Sequence, residues 1–551
     1  MTDYSKTRRP LRDLQDEYDD KSNMQGLEDL MYAWYKVKEL PPADERSFFT
    51  LGGYHGQPFV ARKDVDGLPD EERYTYWGGY CQHGNVLFPT WHRVYVLKVE
   101  QALQSFKPGV MLPYWDETSD ETFKKGVPKC LTDELFDIPE IGLVSNPLRS
   151  FTLPVAISDS LGGEGQYQYD KPKGYTTVRY PLSGLVHDPQ QRMKTKKHNA
   201  KYKSVKLQTS LLNENVTSWL RDGPPHSEYG ADLPVFKPNG LRTRYLRCLD
   251  APNYTVFSNT TSAYAFPMAD LQGKPTMPLE QPHNDMHLAV GGYDPPPYHS
   301  NHVPGANGDM GENNTAGLDP IFFFHHCFVD RVFWEWQVIH KAKEHLDIKS
   351  GYPGTLNVAN GQGPTPGQKV ADKLSLDTEL APFRHRNKKM YTSKECISMP
   401  DEHGTNYQYR YAPGSLPGLY RIYSEQYSEA KRKASKQVLV VSGIDRSQFE
   451  GSFIITAYAV LQEPGVREKR IFVGNHSVLS RFNVRRCANC MAREEVRAIF
   501  SLEPLACEGE VILENATFDI EVTTAGGVVV HDLECTTEVE MLNGLTGILT
   551  F

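Results

Sequence analysis

Asp319-Pro-Ile-Phe-Phe-Phe-His-His-Cys-Phe-Val-Asp-Arg331 reads as the opening of a buried helix that carries chemistry. Asp319 stands where a cap accepts a backbone N–H, Pro320 suits the first turn, and apolar residues recur at three and four as far as Ile339. Neighbouring residues on a helix point about 100° apart, so only one of His325 and His326 can easily face a given metal. Both lie on apolar stripes, and periodicity does not choose between them. The other reads as a buried histidine hydrogen-bonded to a neighbour.

Working outward, Pro282-His-Asn-Asp-Met-His287 spaces His283 and His287 four apart, which puts both imidazoles on one helix face, a turn apart. A zinc peptidase would need Glu after the first histidine, and Asn284 stands there instead. Further upstream, Trp91 to Leu103 is an amphipathic pattern with His92 near its start. His83 precedes it in a Gly, Asn and Pro-containing loop, and His55 lies in Leu51-Gly-Gly-Tyr-His-Gly-Gln-Pro58. Imidazoles without interleaved carboxylates or thiolates suit copper. Divided three and three, they would leave each of two copper ions an open position for O2.

The chain has 551 residues, more than one core usually fills, so a large domain and a smaller one are expected. A net charge of -9 gives no basic footprint for nucleic acid. Met1 to Pro10 lacks the apolar core of a secretory signal, and no stretch approaches the roughly 20 apolar residues that span a bilayer. Nine scattered cysteines fit a reducing compartment better than a disulfide framework, and a cytoplasmic protein is expected.

Helical periodicity is clearest over Leu27 to Val37, Trp91 to Leu103 and Ile321 to Ile339. The rest of the first region reads as helix-poor, with irregular stretches at Gly291 to Gly317 and Gly351 to Gln368. After about Pro413 the apolar pattern lapses, and strand-like runs then begin at Val438, Gly451, Ile471, Val511, Phe518 and Val528. The expected fold is a mainly α domain, residues 1–412, whose helical core holds a dicopper site among long loops. An exposed linker at 413–437, with cleavable Lys431-Arg-Lys433, would join it to a C-terminal antiparallel β sandwich or barrel at 438–551.

The motifs His283-Asn-Asp-Met-His-Leu-Ala-Val-Gly-Gly292 and Asp319 to Arg331 make the chain similar, over nearly its whole length, to type-3 copper proteins and specifically to fungal tyrosinase (polyphenol oxidase) precursors. The resemblance implies that His55, His83 and His92 hold the first copper and His283, His287 and His326 the second, with His325 a non-ligand. It implies a thioether between Cys81 and His83, and Phe322 packed over the second-copper imidazoles. It places His325, Leu288 and Asp330 around the pocket, Leu288 making its mouth apolar. Glu280 and Asn284 match a pair thought to hold a water that takes the phenolic proton.

The same resemblance makes the C-terminal domain a shield removed by proteolysis, with Val478 or Leu479 as an apolar plug and Cys487-Ala-Asn-Cys490 as a copper-delivery motif. Tyr407-Gln-Tyr-Arg-Tyr411 resembles the tyrosine motif closing the catalytic domain. The implied activity is oxidation of monophenols and o-diphenols to o-quinones, with melanin-type pigment as product. Expected partners are phenols, O2, an activating protease, a copper chaperone and a second copy in a homodimer. Alternatives are a catechol oxidase, an oxygen carrier of the hemocyanin kind, and, more distantly, a zinc hydrolase.

Overall fold

The computed structural model describes residues 6–56, 79–158, 170–186, 188–222, 236–269, 276–296, 303–358, 368–398, 409–430, 437–461, 469–482, 484, 493–502, 516–531, 533–541 and 549–550. The helices that build the site are α1 Leu11–Asp19, α2 Gln25–Glu39, α3 Phe48–Gly56, α4 Phe88–Gln104, α5 Val205–Arg221, α6 Leu241–Cys248, α7 Thr260–Ala269, α8 Glu280–Gly291, α9 Ile321–Ile339 and α10 Leu416–Ala430. The three strongest periodic segments of the sequence thus become α2, α4 and α9.

Two features go beyond what periodicity revealed. The first region is richer in helix than its sequence suggests: α5 and α6 bury polar as well as apolar side chains, Asn215, Thr217 and Ser218 on the one and Arg242, Thr243 and Arg244 on the other, so their buried faces do not read as apolar runs. The stretch after Pro413 is not an exposed linker throughout. Leu416, Leu419 and Tyr423 lie buried on one side of α10 and join the main core, at a spacing of three and four. Gly418 and the polar residues between them masked that stripe. Lys431 to Lys433 fall outside the described residues.

The main core packs α4 and α9 together with α2. Trp34 of α2 meets Phe48 at 5.3 Å and stacks on Phe324 of α9 at 5.7 Å, geometries that aromatic pairs prefer. Below this layer runs a buried ionic knot. Asp330, one turn after His326, accepts hydrogen bonds from Arg93 Nε at 2.5 Å, Arg8 Nη1 at 3.2 Å, Tyr409 at 2.7 Å and Tyr411 at 2.6 Å. Burial pushes the Asp330 carboxyl up, but Arg93 and Arg8 outweigh that and hold it below the ordinary range. Asp330 therefore fastens α9 to α4 and to the paired segments Thr7–Arg8 and Arg410–Tyr411.

The C-terminal region is a sandwich of two four-stranded sheets. Its strands are β1 Gln437–Asp445, β2 Phe453–Leu461, β3 Lys469–Val478, β4 Glu495–Ser501, β5 Ala516–Thr524, β6 Val529–Val530, β7 Thr536–Met541 and β8 Leu549–Thr550. One sheet has the order β3-β2-β5-β6 and the other β4-β1-β7-β8, with antiparallel pairing throughout. Period two assigns the faces. Phe453, Ile455, Ala457 and Ala459 enter the sandwich core, while Ile454 joins the core of the helical region. Strand β2 is covered on both sides, which is why its sequence is a continuous apolar run and not an alternation. The run at Val511 lies outside the described residues.

Candidate metal centre

Five segments carry the histidines: α3 carries His55, the loop before α4 His83, α4 His92, α8 His283 and His287, and α9 His325 and His326. Helix α3 reaches its neighbours by close backbone contact. A Cβ on Gly52 would stand 2.5 Å from the Gly317 carbonyl, so only glycine lets His55 approach the segment leading into α9.

The rings converge. In the first set the ring centroids are 5.2 Å apart for His55 and His83, 5.8 Å for His55 and His92, and 5.4 Å for His83 and His92. In the second they are 4.6 Å for His283 and His287, 4.8 Å for His283 and His326, and 5.6 Å for His287 and His326. His92 stacks on His326 at 4.5 Å and joins the two sets. The potential ligand atoms of His283, His287, His325 and His326 all lie within 4.8 Å of one another, as do those of His55, Cys81 and His83, and those of His55, His92 and His326.

Hydrogen bonds fix the tautomers. A carbonyl oxygen can only accept, so a ring nitrogen bonded to one must carry the proton. The Nδ1 of His55 donates to Asn313 O at 3.2 Å, that of His92 to Phe88 O at 2.8 Å and that of His287 to Met310 O at 2.8 Å. His283 Nδ1 lies 3.0 Å from Asn284 Oδ1. In each ring Nε2 is left with its lone pair.

The Nε2 atoms of His55, His83 and His92 are buried and have no hydrogen-bond partner. Those of His283 and His287 lie 3.3 and 3.4 Å from His326 Nε2. The Nε2 proton of His326 could satisfy only one of these two acceptors, so crowded lone pairs remain, and a cation at their focus removes the conflict. Burial pushes all these imidazoles down, His55 to about 3, so they are neutral ligands at neutral pH. An all-imidazole donor set of this kind fits copper.

The surroundings separate the remaining expectations. Phe322 packs on His326 at 4.0 Å, and also on His55 at 4.8 Å, so it spans both sets. Phe88, which sequence reasoning missed, likewise touches His92 at 4.7 Å and His283 at 5.0 Å. His325 places Nδ1 2.7 Å from Glu117 Oε1, with its ring 5.3 Å from that of His283 and 5.1 Å from that of His287. Glu117 also went unnoticed in the sequence, since only the fold brings it to α9. Leu288 is fully buried in the main core.

Glu280 accepts three hydrogen bonds, from Gly84 N at 2.7 Å, Thr260 N at 2.9 Å and Thr260 Oγ1 at 3.0 Å. Burial raises its carboxyl above the ordinary range, although these donors pull the other way. It thus pins the His83 loop to the starts of α7 and α8.

The sandwich touches segments that hold this centre. Ser480 O accepts from Asn313 N at 3.2 Å, and Phe482 N donates to Asn314 Oδ1 at 3.3 Å, beside the carbonyl that holds His55. Arg493 donates to the His83 carbonyl. Val478 points into the sandwich's own core, so it is not a plug; Leu479, its neighbour on the opposite face, packs against the main core. Cys487 and Cys490 lie outside the described residues.

Residues 45–339 match the family model described as the common central domain of tyrosinase. The chain belongs to the tyrosinase family. It is 50% identical over 523 residues to tyrosinase HcTyr2 of Hahella sp., covering 94% of this chain and 92% of that one. It superposes on the tyrosinase of Burkholderia thailandensis at low pH with a TM-score of 0.83 and 46% identity, covering 97% of this chain and all of the other. The fold of an oxygen-bound Aspergillus oryzae pro-tyrosinase variant also matches, with a TM-score of 0.61 at 18% identity over 99% of this chain and 94% of that one. Relatives thus include bacterial as well as fungal proteins, and the motifs do not by themselves assign this tyrosinase to a fungus. Tyrosinases are dinuclear copper oxidases of phenols, and the converging imidazoles provide the donor set that such a centre needs.

Proposed function

We propose that this chain is a latent tyrosinase that hydroxylates monophenols to o-diphenols and oxidises o-diphenols to o-quinones, feeding melanin-type pigment. In this reading His55, His83 and His92 hold one copper, and His283, His287 and His326 hold the other. The observation that carries it is the pair of lone-pair foci: three orphaned Nε2 atoms in one set and three crowded ones in the other. The copper pair, when bound, activates O2 for transfer to the ring and accepts electrons from the phenol.

The protein's own part is positioning and proton handling. Phe88 and Phe322 hold the imidazoles and exclude water from between the two sets. A monophenol must lose a proton of pKa near 10, and Glu280 with Asn284 is assigned to receive it through a water. The raised carboxyl of Glu280 makes it a stronger base than an exposed glutamate. Cys81, whose Sγ lies among the atoms of the first set, is assigned a thioether to His83 that locks that ring.

The sandwich is the inhibitory element, and its contacts on Asn313, Asn314 and the His83 carbonyl support that reading. Leu479 is the remaining plug candidate. Proteolysis between the domains, at or near Lys431 to Lys433, would release the site. Cys487 and Cys490 are assigned to copper delivery from a chaperone.

Oxygen uptake by the copper-loaded chain, with L-tyrosine and with L-DOPA, before and after mild trypsin treatment, tests the whole reading. Uptake with both substrates only after cleavage is the expected result. Uptake with L-DOPA alone would make the protein a catechol oxidase, and full activity before cleavage would end the latency proposal. Glu280→Gln should lower monophenol turnover at least tenfold more than diphenol turnover, within the range of about 10²–10⁴ for a lost general base. Equal losses would make Glu280 a loop anchor only.

A further inference from the structure

The assignment above leaves His325 without a metal, yet its surroundings are those of a ligand. Its Nδ1 lies 2.7 Å from Glu117 Oε1, and Glu117 Oε2 accepts a hydrogen bond from the Tyr245 hydroxyl at 2.6 Å. All three side chains are fully buried. The other ring nitrogen, Nε2, is buried with no hydrogen-bond partner. The ring stacks on His283 at 5.3 Å with an interplanar angle of 22°, and meets His287 edge-on at 5.1 Å. Its potential ligand atom falls within 4.8 Å of those of His283, His287 and His326.

A histidine that served only to fill space would be expected to pair both nitrogens or give way to an apolar ring, because an orphaned buried nitrogen is costly. Here one nitrogen is oriented by a carboxylate that is itself held by a tyrosine, the support that metal-bound imidazoles commonly have. When Nδ1 donates to Glu117, the lone pair is on the buried, unpartnered Nε2 of a ring that belongs to the second cluster of imidazoles.

We propose that His325 is a reserve ligand of the second copper: a fourth imidazole, positioned by Glu117 and Tyr245, that takes the metal when one of His283, His287 or His326 is displaced or missing. This rests on the assignment of those three residues to the second copper. Its consequence is retention, since the metal can change one ligand without leaving the chain.

The test uses the full-length chain loaded with Cu(I), with copper per chain measured after gel filtration and after challenge with a Cu(I) chelator. Wild type should hold two coppers. His325→Phe, which preserves the stack on His283, should still load two but lose the second to chelator about tenfold faster, in the range by which ligand-supporting groups alter metal affinity. His287→Ala should keep close to two, and His287→Ala with His325→Phe only one. If the double variant does not fold, His325→Asn, too short to reach the cluster, replaces it. A His287→Ala chain that holds one copper, or a double variant that holds as much as the single, overturns the reserve role. A wild-type chain that cannot hold two coppers overturns the copper assignment itself.

Discussion

The two histidine sets solve one coordination problem with different parts. The second rests on two helices, and a turn of α8 together with one position of α9 brings its three Nε2 atoms to within 3.3 and 3.4 Å. The first is gathered from a short helix, a loop and the start of α4, and its Nε2 atoms have no partners. A single segment, residues 309–318, supports both, offering Met310 O to His287 and Asn313 O to His55. Both sets are also tied to the sandwich, the first through Arg493 on His83 O and Ser480 on Asn313 N, the second through Arg244, which donates to Asp285 of α8 and to Asn475 of β3. The sandwich thus reaches the helix-built set only by way of an arginine on α6, whereas among the described residues it bonds directly to the backbone of the loop that carries His83.

The largest effects should come from removing one imidazole from each set. His92→Ala should lose the first copper outright, because the further imidazole beside its set, His326, is assigned to the second copper, whereas His287→Ala should keep metal. Both should abolish oxygen uptake, and copper analysis beside an oxygen electrode separates the two. Equal copper loss would erase the contrast between the sets.

Next, Asp330→Ala strikes the anchor of α9 and leaves Arg8 and Arg93 buried without their shared carboxylate. About 3–5 kcal/mol of stability should be lost, as for other broken buried ion pairs, measured by denaturant unfolding of the apo chain. A loss below about 1 kcal/mol would mean that Glu100 compensates, since it also pairs with Arg8.

A smaller effect should follow Arg493→Ala. It removes a sandwich contact on the loop-built set, and a lost buried hydrogen bond from a charged group is worth about 1–3 kcal/mol. Activity before cleavage should therefore rise severalfold, with activity after cleavage unchanged. Unchanged activity before cleavage would place the latch elsewhere, on the contacts of Ser480 and Phe482.

The mildest handle is pH. Glu312, in the shared segment, faces Gly451 of the sandwich, where a Cβ would stand 2.7 Å from Oε1. Burial pushes its carboxyl up from 4.5 to about 8; the hydrogen bond from Asn307 and the nearby Lys171 pull it down, while Asp309 and Glu450 push it up. Tyr293, also buried beside it, donates its hydroxyl to Ser452 O.

The folded chain therefore keeps a proton that the unfolded chain releases above about pH 4.5. That stability is fully present below pH 4.5 and is lost as pH rises through about 8. The slope should reach at most about 1.4 kcal/mol per pH unit. Glu312→Gln should flatten stability over this window in thermal melts at several pH values. An unchanged slope would assign the dependence to other groups.

Much of this was legible in the sequence, for a definite reason. His283 and His287 share a face because of a spacing of four, and α9 and β2 declare themselves by periods of three to four and by continuous apolarity. These are local properties that a chain carries wherever it folds. Helix α10 was missed because its buried face consists of Leu416, Leu419 and Tyr423 set among polar residues and a glycine, and only packing against α6 and α9 makes it a stripe. Glu117 was missed because its partner His325 lies 208 positions away and no spacing links them.

The sequence by itself therefore determined the histidine inventory, the helical pillars, the strand-rich tail and the suitability of the set for copper. Tertiary structure alone decided that His326 brings its Nε2 close to those of both His283 and His287, that carbonyls of one segment set a tautomer in each set, and that Val478 belongs to the sandwich's own core. The physical reason is range. Periodicity and residue chemistry are written within a few positions, but which lone pairs share a focus depends on helices and a loop meeting from opposite ends of the chain.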